Sequence, residues 1–157
     1  MSQDEKNLFW GKSTWMFFHT LAEKVDEEKY KVLKHELIAI VRQICSNLPC
    51  PECAAHASRF ISTVRIETIP TKHLFKSMLF LFHNQVNARI GKPQFMSQQT
   101  SCYKHYSLGI SLQNFLTFYA KRYNGTIQAG IMSTETKRRR IAMSVNQWIK
   151  NNWTSFN

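Results

Sequence analysis

Little of this sequence is built to turn sharply. Five glycines and four prolines in 157 residues are few, which argues against a turn-rich β fold and for helices. No unbroken apolar run is longer than Met78 to Phe82, which is too short to span a bilayer as a helix. The first seven residues are polar and have no apolar core of a signal peptide. A chain without a span or a leader is expected in the cytoplasm. There are four cysteines, and in a reducing compartment so few point to chemistry rather than to a disulfide scaffold. Acidic residues are also scarce, 10 against 21 lysines and arginines, for a net charge of +11. Nucleic acid, phosphate-bearing cofactors and acidic protein surfaces are the partners such a charge suits. No internal repeat or low-complexity segment appears.

What is present suits one domain with a real core. Aromatics make up 13 % of the chain, eleven of them Phe. They imply a tightly packed core or a wall for a flat ligand. Apolar periodicity predicts a first helix from about Phe9 to Val25 and a second from the Asp26 cap to Leu48, closed by Pro49. A third helix opens at Pro51. Val64 to Pro70 reads as a loop, and Thr71 caps a fourth helix that Gly91-Lys92-Pro93 stops. Ser97–Leu108 reads as a short helix and Leu112–Tyr123 as another. Asn124-Gly125-Thr126 and Gly130 mark a break, and Ser133 or Thr134 caps a last helix. The reading is all-α: a bundle over 1–124 and a basic helical extension over 125–157.

The chain is organised around Pro49-Cys50-Pro51-Glu52-Cys53. Pro51 suits the first position of a helix, which puts Cys50 at the N-cap. Free N–H groups and the positive end of the dipole favour a thiolate there. Cys53, one turn on, is expected to be the more buried of the two. This layout suits a reversible dithiol. It also suits half of a zinc site, with Cys50, Cys53 and His56 as three ligands and Cys45 or Cys102 as a fourth. Two flanking stretches pair polar and aromatic groups at i and i+4: Trp15 with His19, and His83 with Asn87. Rings and amides of this kind can stack on a heterocycle and read its edges. Arg89 and Lys92, near a helix end, can meet phosphate.

Together these residues resemble the Erv/ALR family of FAD-linked sulfhydryl oxidases. The likeness rests on W-G-x-x-x-W-x-x-x-H at Trp10 to His19, P-C-x-x-C at Pro49 to Cys53, and H-N-x-V-N-x-x-x-G-K-P at His83 to Pro93. It implies a four-helix bundle with a short fifth helix and non-covalent FAD. Carried over by position, Cys50 exchanges disulfides with substrate, and Cys53 faces the flavin as the charge-transfer thiolate. Trp15, His19, His83, Asn84, Val86, Asn87 and Lys92 line the cofactor site, with Gly11 and Lys12 near it. The family's tryptophan near residue 104 is missing, and Tyr103 or Tyr106 stands in as an adenine-stacking ring. A second C-x-x-C shuttle pair is absent, so electrons reach Cys50 directly from a thiol substrate or relay protein. Met96 and Ser97 stand where the family has a cysteine. The resemblance further implies a homodimer, oxygen as acceptor, and no metal. The short forms encoded by large DNA viruses, acting in host cytoplasm or virion, are those the chain looks most like.

Blander readings stand beside these. The tryptophans and phenylalanines are core residues in most helical proteins, and lone histidines are more often structural than ligands. Cys45 reads as a buried core thiol. The rival function is a zinc-stabilised, basic nucleic-acid-binding module. The run Lys137 to Arg140, with Lys150, reads as charge without a nearby opposite and as a solvated face. Ile141, Val145, Trp148 and Ile149 form a helical stripe that must pack against protein. Catalysis on a small dithiol is expected to survive loss of the tail.

Overall fold

A computed structural model describes residues 3–122 and 129–157; of these, the side chains of residues 3–8, 97–99 and 129–134 are not described. Six α-helices follow one another among the described residues: α1 Gln3–Lys24, α2 Glu27–Cys45, α3 Pro51–Ser62, α4 Lys72–Ile90, α5 Leu108–Tyr119 and α6 Ala129–Asn151. Single turns of 3-10 helix lie at Ile66–Thr68 and Trp153–Ser155, and a longer 3-10 stretch at Ser97–His105. The fold is all-α.

The caps are those the sequence spells out. The Asp26 carboxylate accepts from the amides of Glu28 and Lys29, both at 3.0 Å. The Thr71 hydroxyl accepts from Leu74 N–H at 3.2 Å. Gly91 ends α4 in the left-handed region at φ 75°, where a Cβ is costly. Other boundaries differ from expectation. α1 begins at Gln3 rather than near Phe9. α2 ends at Cys45, because Pro49 disfavours helical backbone before it and Ser46 has already closed the last turn. The fifth helix starts at Leu108, not Leu112, because the Ser107 hydroxyl caps it by accepting from Ile110 N–H at 3.3 Å. The predicted helix over Ser97–Leu108 is the 3-10 stretch. α6 is already helical at Ala129, ahead of the caps expected at Ser133 or Thr134. The break at Asn124-Gly125-Thr126 lies outside the described residues.

The helices close a ring. α1 packs on α4 and α5, α4 on α2, α2 on α6, and α6 on α5, while α3 leans on α2. Phe17, Phe18, Leu21, Leu37, Ile44, Phe75, Leu79 and Phe115 are fully buried within it. Ile141, Val145 and Ile149 of α6 belong to the same buried cluster, so the stripe covers the chain's own bundle. The C-terminus returns to the α1–α2 corner. Asp26 N–H donates to Ser155 C=O at 2.8 Å, Asn157 N–H donates to Lys24 C=O at 2.6 Å, and Phe156 bridges Val25.

The basic run does not behave as one solvated face. Arg138 is only 3 % exposed. Its guanidinium donates to the carbonyl of Tyr119 at 2.9 Å, an orphan acceptor at the end of α5, and to that of Lys121, just beyond the helix, at 3.3 Å. Nor is the run without a nearby opposite: Glu135 pairs with Arg139 at 2.7 Å and with Arg122 at 3.7 Å. The Glu135–Arg139 pair follows from the four-residue spacing of a helix, whereas Arg122 is brought to Glu135 by the fold.

Candidate functional site

Cys50 and Cys53 are joined in a disulfide at the head of α3, with Cα atoms 5.2 Å apart. Cys50 is the N-cap, and its Sγ accepts from Cys53 N–H at 3.2 Å. Pro51 opens the helix and leaves no wasted donor. Both cysteines are half-buried, so the expected contrast between an exposed and a sheltered residue does not appear. Glu52, between them, is bridged by Arg89 of α4 at 3.3 Å. Sequence reading offered Arg89 to a phosphate; the fold turns it to the dithiol loop instead.

From α3 a row of rings runs across the bundle. Phe60 stacks on Phe82, centroids 4.4 Å apart and planes 9° from parallel. Phe82 meets Trp15 edge to face at 5.0 Å. Trp15 stacks on His83 at 4.1 Å and 5°. His19 stacks on Tyr103 at 4.7 Å, and Tyr103 meets Tyr106 edge to face at 5.4 Å. Each such pair adds about 0.5–1.5 kcal/mol beyond simple burial. The row thus joins α3, α4, α1 and the 3-10 stretch, which are distant in sequence.

At its centre the His19 Nε2 and His83 Nδ1 atoms are 2.9 Å apart. One imidazole must donate and the other accept, which requires at least one to be neutral. Burial lowers His19 to about 4. Burial, the neighbouring His19 and the charge of Lys92 lower His83 to about 3. Both rings are therefore neutral at pH 7. Burial also raises the Tyr103 phenol, which stays protonated.

Asn84 and Asn87 face the loop that follows α4. Asn84 Oδ1 accepts from Phe95 N–H at 2.7 Å, and its Nδ2 donates to Phe95 C=O at 3.1 Å. Asn87 Nδ2 donates to Pro93 C=O at 3.2 Å. These amides hold the loop, and Phe95 in turn closes on His83 at 4.3 Å. Val86 is half-buried beside them, while Lys92 and Lys12 are exposed. Phe60, Phe95 and the Glu52–Arg89 bridge were not singled out by sequence reasoning as parts of the site. Phe95 alone had a signal, its place just after Gly91-Lys92-Pro93.

Gly11 bears on whether a ligand belongs here. It lies inside α1, where glycine costs about 0.5–1 kcal/mol against alanine. A Cβ added there would meet nothing within 4 Å. The chain's own packing gives no reason for glycine at this position, whereas a bound group approaching α1 would. Neutral imidazoles, stacked rings and two exposed lysines suit a flat heterocycle with phosphates. The zinc alternative fares worse. The Cys50 and Cys53 sulfurs are bonded to each other, and among the described residues no group of three His, Cys, Asp or Glu stands close enough to hold a metal. Cys45 is buried and Cys102 exposed, both free. Among the described residues no helix is long and apolar enough to cross a membrane.

Comparison with known proteins gives one family: the Erv1 / Alr family matches residues 12–107. A protein of Invertebrate iridescent virus 6, provisionally named an FAD-linked sulfhydryl oxidase, is 31 % identical over 90 residues, 54 % of this chain and 81 % of the viral one. The FAD-linked sulfhydryl oxidase ERV1 of Oryza sativa subsp. japonica is 31 % identical over 94 residues, 58 % of this chain and 46 % of its own. The FAD-linked sulfhydryl oxidase of an African swine fever virus isolate from Kenya is 29 % identical over 85 residues, 54 % of this chain and 71 % of its own. No solved structure matches the chain.

Proposed function

The chain belongs to the Erv1/Alr family, and we propose on that premise that it is an FAD-dependent thiol oxidase forming disulfides in partner proteins. The observation that carries the reading is that the Cys50–Cys53 disulfide heads α3, the same helix whose Phe60 stacks on Phe82 and so joins the row of Trp15, His83, His19 and Tyr103. A substrate thiolate attacks Cys50 Sγ, forming a mixed disulfide and releasing Cys53 as thiolate. The second substrate thiol then attacks its own sulfur in that mixed disulfide, leaving the substrate oxidised and the chain's dithiol reduced. The N-terminus of α3 stabilises thiolate at either step.

FAD would be held by Trp15, His19, His83 and Tyr103, with Gly11, Lys12, Asn84, Val86, Asn87, Lys92 and Tyr106 around it. When bound, it supplies acceptance of two electrons from the dithiol and their delivery to oxygen, with hydrogen peroxide as product. The two imidazoles stay neutral, so they offer one donor and acceptor set without a positive charge. Asn84 and Asn87 act by holding the loop that carries Phe95. The reading includes a homodimer, for which Leu74 and Leu81, seven apart on α4 and exposed, supply an apolar contact. The viral relatives favour the host cytoplasm or the virion as its place.

Purified protein is expected to be yellow, with a flavin absorbance spectrum, and to consume oxygen with dithiothreitol. Cys50→Ser and Cys53→Ser should each abolish dithiol oxidation while leaving the flavin absorbance in place. Colourless protein, or substantial turnover in either variant, would count against the assignment.

A further inference from the structure

The positive charges of α6 separate by direction. Arg138 turns inward to the end of α5. Arg139 pairs with Glu135, which also receives Arg122. Lys137 and Arg140 do neither. Both are exposed, and both line a cavity of about 600 Å³ between α2 and α6, together with Gln43, Thr136, Ile141 and Ser144.

Beside the apolar Ile141, the polar part of the lining has one chemical character. It offers an ammonium, a guanidinium, two hydroxyls and an amide, every one able to donate. No carboxylate occurs among its described residues. Lys137 and Arg140 are three apart, so their charges share a face and repel. The only acid among the described side chains of α6, Glu135, is already engaged by two arginines. An anion between Lys137 and Arg140 would relieve that repulsion. The volume is in the range of pockets that take small ligands, and the net charge of +11 draws polyanions to the surface.

We propose that the α2–α6 cleft is a phosphate-binding site, taking phosphates carried on a nucleic-acid strand or on a free nucleotide. The Arg140 fork suits two phosphate oxygens and Lys137 a point contact, while Ser144 contributes a hydroxyl. The site is separate from the dithiol and does not rest on the thiol-oxidase reading.

The test compares the full chain with Lys137→Gln/Arg140→Gln. The control Lys29→Gln/Arg59→Gln removes the same charge from exposed positions on α2 and α3. Binding is followed by fluorescence anisotropy of labelled single- and double-stranded 20-mers, and by calorimetry with ATP and with inorganic phosphate, across a salt series. The cleft variant should lose about tenfold or more in affinity. With two contacts removed, its log–log salt slope should fall by about 1.8 for duplex or about 1.4 for single strand. The control should change less. Lys137→Arg/Arg140→Lys, which keeps both charges, should retain binding. Loss with the oligonucleotides identifies a strand as the source; loss with ATP alone identifies a free nucleotide. Wild-type protein that binds none of these probes, or a cleft variant that matches the control, overturns the proposal. An unchanged melting temperature verifies that the cleft variant is folded.

Discussion

Burial holds His19 and His83 well below the ordinary imidazole value of 6.5, at about 4 and about 3. The sign of the effect on stability follows. The unfolded chain takes up protons on both rings as pH falls through 6.5, while the folded chain does not. The neutral pair therefore contributes its full stability above pH 6.5, and loses it as pH falls toward 4 and 3. The loss approaches about 1.4 kcal/mol per pH unit for each ring once pH is well below 6.5. The melting temperature is expected to drop steadily from pH 6.5 to 5, and His83→Phe should roughly halve that slope. Either change leaves His19 without its partner, a loss of about 1–3 kcal/mol for a buried polar contact, and His83→Ala goes further because it also removes the ring that packs on Trp15 and Phe95. That variant should release its FAD on gel filtration and melt lower by linkage. Full flavin occupancy in His83→Ala would remove this residue from the cofactor site.

At the scale of elements, α4 and the loop after it act together. Gly91 turns the chain, and the Asn84 and Asn87 side chains return from α4 to receive it. Asn84→Ala removes both bonds to Phe95 and is expected to cost about 1–3 kcal/mol. The specific reporter is the Phe95 amide, which should exchange with solvent much faster in the variant while amides in the middle of α2 stay protected. Equal acceleration throughout the molecule would mean that Asn84 supports the whole fold rather than the loop.

For the molecule as a whole, α6 is the piece that closes the ring. Its Ile141, Val145 and Ile149 are at most 2 % exposed. Arg138 caps α5, and Trp148 Nε1 donates to Glu36 of α2 at 3.2 Å. Removing residues 126–157 would uncover apolar surface on α2 and α5, at about 25 cal/mol for each Å². Truncated protein is therefore expected to melt lower or aggregate, with its oligomeric state or solubility changed, whether or not dithiothreitol oxidation persists. Arg138→Met is the single-residue counterpart, leaving the Tyr119 and Lys121 carbonyls without this donor at a cost of about 1–3 kcal/mol. A truncated chain with unchanged oligomeric state and melting temperature would show that residues 1–124 stand as a unit of their own.

Much of this protein is determined locally, and so could be read from the chain. Asp26, Cys50 and Thr71 cap helices because a short side-chain acceptor precedes an apolar periodic run. Gly91 ends one because only glycine enters the left-handed region cheaply. The pairs Trp15/His19 and His83/Asn87 follow from four-residue spacing alone. Tertiary structure decided what spacing cannot reach. It paired His19 with His83 across 64 positions, set Arg89 on Glu52 rather than leaving it for a phosphate, and turned Arg138 inward while Lys137 and Arg140 stayed out. Neighbours in a charge run have equal composition, but they point about 100° apart on a helix. Which direction meets a carbonyl, a carboxylate or an open cleft depends on the helices already standing there.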